Sequence, residues 1–179
     1  NDVVDSNKLR ELFGHKNILL IGPGKNIERE RQLVDEFSDN HDVITISVNY
    51  VPRDIAVDYI FLTKSKRYTQ VLNELDTNNQ PKIIATSNVM KTEGAFDFVL
   101  NYRDLIDPNT EIIDNSLVMI LKVLAFCTAD NVYLAGFDGY SKTADNYFDI
   151  RKEYSYVRDK ADYLNSYVKE FLADIQSSL

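Results

Sequence analysis

The chain is short of cysteine. Cys127 is the only one in 179 residues, so no disulfide can form within it. It lies inside an apolar run and reads as a small core residue. A chain without disulfides points to a reducing, cytoplasmic compartment. Long apolar runs are also absent. None approaches the ~18 consecutive apolar residues of a membrane-spanning helix. Positive charge is scarce, with 20 Lys and Arg against 28 Asp and Glu, a net charge of −8. That balance argues against nucleic-acid and anionic-membrane partners, because attraction to phosphate needs a basic face. Histidine is scarcer still, with only His15 and His41. Both come just before apolar strand-like runs, which places them at the edge opposite any ligand face. No metal-cluster spacing, Ser-His-Asp order or glycosidase-like carboxylate pair can be assembled, so no metal site is expected. There is no internal repeat, low-complexity segment or signal-peptide pattern. The chain begins at Asn1 without an initiator Met and reads as a piece of a longer protein.

What is present is a regular alternation of strand and helix patterns. Residues 5–13 form a short amphipathic pattern through Leu9, Leu12 and Phe13, ended by Gly14. Residues 17–21 are an uninterrupted apolar strand, typical of a sheet buried on both faces. Further strands are expected at 43–48, 58–62, 82–86, 96–100 and 132–135. Helical spacing joins Ile27, Val34 and Phe37, and then Tyr68, Val71, Leu72 and Leu75. Residues 117–126 are apolar nearly all round, as in a buried helix. The tail, 153–179, carries Val157, Ala161, Leu164, Val168, Phe171 and Ile175 on one stripe. It packs against the sheet or pairs with a second chain to make a homo-oligomer. The whole pattern predicts a single Rossmann-like domain over residues 1–179. It would be a three-layer α/β/α fold with a mostly parallel sheet, and residues 1–15 its N-terminal helix or linker.

In such sheets ligands bind beyond the carboxyl ends of the strands, so the loops there carry the candidates. After the first strand come Gly22, Pro23 and Gly24, which allow close backbone approach before a helix head. The same residues suit a tight turn with no ligand, and Glu28 and Glu30 nearby would repel a phosphate. The loop is neither a dinucleotide fingerprint nor a P-loop. After the second strand, Asn49 can pair with a base or ribose, or cap local backbone. After the third, Lys64, Lys66 and Arg67 make the densest positive spot, open to a phosphate or merely solvated. Asn115 and Ser116 stand at the head of the buried helix as caps or as a phosphate seat. After the last strand come Gly136, Phe137, Asp138, Gly139 and Tyr140, with Tyr147 close behind. Asp138 can orient a hydroxyl or hold a metal, or serve the turn alone.

The order ILLIGPGKN, ISVNY, IIDNSLVMILKVLA and VYLAGFDGY over residues 16–148 resembles small bacterial sialyltransferases of Rossmann-like type. It is also similar to MptE-like proteins, which include archaeal pyrophosphokinases. The resemblance implies that Gly22, Pro23, Gly24 and Asn49 line a pocket for a CMP-type nucleotide, with or without Mg²⁺. It implies that Asn115, Ser116, Gly136 and Asp138 complete the pocket, and that Tyr140 and Tyr147 hold phosphate. The transferases use a downstream His as general base, whereas this chain has no His after Tyr147. The segment further resembles the C-terminal domain of bacterial HMG-CoA-lyase-like aldolase proteins. That likeness implies an N-terminal aldolase barrel as a partner in the parent protein. The expected function is therefore an accessory domain that binds a nucleotide or nucleotide sugar. The alternatives are an active glycosyltransferase or pyrophosphokinase, and a structural docking or dimerisation domain.

Overall fold

The computed structural model describes residues 5–75, 78, 80–89, 96–111, 113–139 and 161–178. Six strands form one sheet: β1 (Asn17–Ile21), β2 (Val43–Val48), β3 (Tyr59–Leu62), β4 (Lys82–Thr86), β5 (Phe98–Leu100) and β6 (Asn131–Ala135). Their order is β5-β4-β3-β2-β1-β6, and every neighbouring pair is parallel. Parallel neighbours need crossovers; residues 49–58 carry β2 to β3 without a helix, and six helices are described. They are α1 (Ser6–Phe13), α2 (Asn26–Asn40), α3 (Ser65–Glu74), α4 (Tyr102–Leu105), α5 (Ser116–Phe126) and α6 (Ala161–Ser178). The Rossmann-like α/β expectation is met, with a sheet that is wholly parallel among the described strands.

The two-residue alternation of each strand sends its side chains to opposite layers. In β1, Ile18 and Leu20 join a core with Leu9 and Phe13 of α1 and Ile120, Val123 and Leu124 of α5. Leu19 and Ile21 face the other way, onto Ile27 and Val34 of α2 and Tyr68 and Val71 of α3. That is why β1 is apolar at every position from Ile18 on. α5 is apolar nearly all round because most of it is buried between the sheet and α6, whose Val168 and Leu172 pack against the same core. The tail helix thus packs on the helical layer through α5. Of its expected stripe, Val157 and the side chains of Ala161, Leu164, Phe171 and Ile175 lie outside the described residues.

Some boundaries differ from the sequence pattern. β3 begins at Tyr59 because Asp58 is an edge residue: its carboxylate accepts from Thr45 N at 2.9 Å and Thr45 Oγ1 at 3.1 Å. β5 begins at Phe98, after the Asp97 carboxylate has accepted from Ile83 N at 2.8 Å. α3 begins at Ser65, three residues before the first apolar position that marked it. α4 is a single turn, too short to show a period, and Asn101 caps it by accepting from Arg103 N.

The chain winds outward from β1 through β2, β3 and β4 to β5, then returns to place β6 on the far side of β1. The topological switch therefore lies between β1 and β6. The loops following these two strands meet at the carboxyl edge of the sheet. No described helix is long and apolar enough to cross a membrane.

Candidate functional site

At the switch point the two glycine loops clasp each other. Gly22 N donates to Ala135 O at 2.8 Å, and Gly24 N donates to Gly136 O at 2.7 Å. The ladder between β1 and β6 thus continues past the strand ends as backbone against backbone. A Cβ on Gly136 would strike Gly22 O, and one on Gly24 would strike Gly136 O. Gly136 also has φ +73°, in the left-handed region that a side chain rarely adopts. These glycines are fixed by the approach of two loops, a sufficient reason for both without a ligand. Asp138 completes the clasp, its Oδ2 accepting from Asn26 N at 2.7 Å. A carboxylate suits the positive head of α2, so the protein seats its own anion there. Of the readings open to Asp138, the hydrogen bond from Asn26 N supports the one in which it serves the turn. Among the described residues no group of three metal-ligating side chains converges.

A second cluster sits beyond β2 and β3. Asn49 follows β2 with φ +63°, a conformation asparagine tolerates better than most residues. Its backbone N donates to Phe61 O at 2.8 Å. Its side-chain Oδ1 accepts from Thr63 N at 3.0 Å, which fixes the amide's orientation. Nδ2 then donates to Ser116 Oγ at 2.8 Å and more weakly to Thr63 Oγ1 at 3.4 Å. Thr63 Oγ1 and Ser116 Oγ lie 2.8 Å apart. Three residues from separate segments therefore close one ring of hydrogen bonds. Thr63 is fully buried, whereas Asn49 and Ser116 are half-buried. Asn115 caps α5, its Oδ1 accepting from Val118 N at 3.2 Å. Asn88 extends the cluster by donating to Thr63 O at 2.9 Å.

The remaining candidates border this cluster. Lys64 Nζ lies 3.7 Å from Asp114 Oδ2, which also accepts from Tyr102 Oη at 3.3 Å. Burial and the Asp114 charge both push the Tyr102 phenol up, so it stays a neutral donor. Lys66 is exposed. Arg67 is buried on the inward face of α3, where Nη1 donates to Gln70 Oε1 at 3.1 Å. Tyr50 ties the two regions together, its Oη donating to Gly22 O at 2.9 Å. Burial pushes that phenol up as well.

The expected site residues thus fall into two groups. Gly22, Gly24, Gly136 and Asp138 come together in the clasp, with Pro23 half-buried between its glycines. Asn49, Ser116 and Asn115 gather at the head of α5 with Lys64 nearby. Tyr140 and Tyr147 lie outside the described residues. Sequence reasoning missed Thr63, Asn88, Tyr102 and Asp114. Thr63 had one readable signal, a hydroxyl directly after an apolar strand. Both histidines sit at the amino edge, His15 beside Asp130 and His41 stacked on Phe37. As the chain has no others, no imidazole of this chain serves the carboxyl edge. No protein-family model, curated protein or solved structure matches the chain.

Proposed function

We propose that the carboxyl edge of the sheet binds a nucleotide or nucleotide sugar, and that the domain binds this ligand without transforming it. The observation that carries this reading is the Asn49–Thr63–Ser116 ring at the head of α5. Neutral amide and hydroxyl groups gathered beyond the strands of a parallel sheet are the groups that read bases, riboses and phosphate oxygens. The glycine clasp supports the same location by exclusion, because its own backbone and Asp138 fill the switch-point crevice. The placement of His15 and His41 at the far edge favours binding over imidazole-based transfer. An accessory role beside an aldolase-like barrel is part of the proposal and draws on the resemblance of the whole segment.

A thermal-shift panel tests it, with cytidine, CMP, CDP, CTP, GTP, ATP and CMP-sialic acid, each with and without Mg²⁺. Ligand at 100 times its Kd adds about 2.7 kcal/mol of stability. For a domain of this size that raises Tm by roughly 5–10 °C. A rise with cytidine nucleotides supports the reading. No rise with any member at millimolar concentration rejects it.

A further inference from the structure

A sheet with two edges has two rows of outward backbone groups, and this one treats its edges differently. β5 is three residues long, and Asp5 seals its outer side. Asp5 N donates to Val99 O at 3.0 Å, and the Asp5 carboxylate accepts from Val99 N at 2.9 Å. β6 is five residues long and carries neither charge nor proline, the usual devices that keep an edge from pairing. Ala135 O faces β1, where it accepts from Gly22 N at 2.8 Å. Strand alternation then turns the backbone groups of Tyr133 toward β1 and those of Val132 and Leu134 outward. Among the described residues nothing bonds to Val132 or Leu134 from the outer side. The side chains are uncovered as well. Tyr133 is 39% exposed and Leu134 40%, one on each face of the sheet. The Tyr133 ring lies 4.9 Å from that of Phe37 in α2, and Leu33, one turn earlier, is 64% exposed.

We infer that β6 is a pairing edge for a second copy of this chain, joined antiparallel across a two-fold axis so that the two sheets become one. The strand is self-complementary in a register centred on Tyr133. Val132 then lies opposite the partner's Leu134, and Leu134 opposite the partner's Val132. Each such pair exchanges two N–H···O bonds, which uses every outward backbone group of both residues. The two Tyr133 rings meet across the axis on the α2 side, in the layer that holds Leu33. The Val132–Leu134 pairs make an apolar row on the other face. Charge favours this partner. The chain carries −8, so two copies repel over most of their surface. β6 has no charge to set against its own copy. The first charge before it, Asp130, falls opposite the partner's Gly136 in this register. The tail helix, the other element that the sequence offers for pairing, packs Val168 and Leu172 on the core of its own chain. The inference is independent of what the carboxyl edge binds.

Sedimentation velocity of the whole chain tests it. The range runs from about 1 to about 500 µM, because an interface built on one strand and its neighbours falls in the small, weak class. The expected mass moves from 20.6 kDa to twice that value as concentration rises. A monomer at every concentration overturns the inference. Tyr133→Lys sets two like charges opposite each other at the axis and should weaken association about tenfold or more, as should Tyr133→Glu. An equimolar mixture of the two variants should recover the dimer, since opposite charges then meet at the axis. Recovery also shows that both variants fold. An undiminished dimer in either variant, or a mixture that stays monomeric, overturns the inference. Hydrogen exchange of the wild-type chain needs no substitution. The Val132 and Leu134 amides should exchange fast in dilute monomer and about tenfold more slowly in the dimer. Slow exchange already in the monomer would mean that another segment of the same chain covers the edge. Fast exchange in the dimer would place the interface elsewhere. Either result overturns the inference.

Discussion

Two regions on one edge of this sheet look alike in the sequence and differ in the fold. Both draw on residues just past apolar strands, Gly22 and Gly24 after β1, Gly136 after β6 and Asn49 after β2, and both border a helix head, that of α2 or that of α5. The clasp uses its groups on itself: Gly24 N is on Gly136 O, and Asp138 is on Asn26 N. The ring also joins its own groups, but it does so with neutral amide and hydroxyl side chains, of which Asn49 and Ser116 are only half-buried. Glycine beyond a parallel strand therefore marks close backbone approach. Whether a ligand or another loop makes that approach is a separate matter, decided by what lies across the switch.

The largest way to break the comparison is to add a Cβ to the clasp. Gly136→Ala should cost more than about 2 kcal/mol in urea unfolding, from left-handed strain plus the collision with Gly22 O. Ser116→Ala should stay within about 1 kcal/mol. Equal costs would mean that the clasp is no tighter than the ring. Next, Asp138→Ala should cost about 1 kcal/mol, the usual worth of a helix cap, and speed amide exchange in the first turn of α2. Unchanged exchange there would show the cap to be idle. Asn49→Gly should be milder, because relief of the φ +63° conformation offsets part of the lost hydrogen bonding. It should lie within about 1 kcal/mol of wild type and still lose ligand affinity.

The smallest effect lies away from both regions and serves as their control. Asp5 joins α1 to β5, its carboxylate accepting from Lys8 Nζ and Val99 N, both at 2.9 Å. The Lys8 hydrogen bond, more than the Val99 N–H, holds its carboxyl below the ordinary 3.8, against the opposing effect of burial. Its contribution is therefore present above the ordinary value and is lost as pH falls through the lowered one. Thermal melts from about pH 5 to about pH 2.5 should show Lys8→Ala converging on wild type at the acid end. A constant gap across that range would mean that Asp5 does not carry the link.

Much of this was legible because strand ends are legible. The apolar runs gave the sheet, the residue just past one of them gave Asn49, and the polar pair ahead of the apolar helix run gave Asn115 and Ser116. The pairing of Gly24 with Gly136 was not legible, since 112 positions separate them and no local pattern reports a clasp. Arg67 was misleading for a related reason. With α3 starting at Ser65, it falls one turn before Val71 on the inward face, so its charge is not the surface phosphate contact its neighbours suggested. Thr63 escaped notice because a β-branched residue at a strand end looks like more strand.

The central claim is that a nucleotide enters at the ring and leaves the clasp closed. Amide shift mapping of the ¹⁵N-labelled chain during titration with CMP tests it most directly. The account predicts shifts at Asn49, Thr63 and Ser116, with Gly22, Gly24 and Gly136 unmoved. Shifts centred on the three glycines, or none at millimolar CMP, would contradict it.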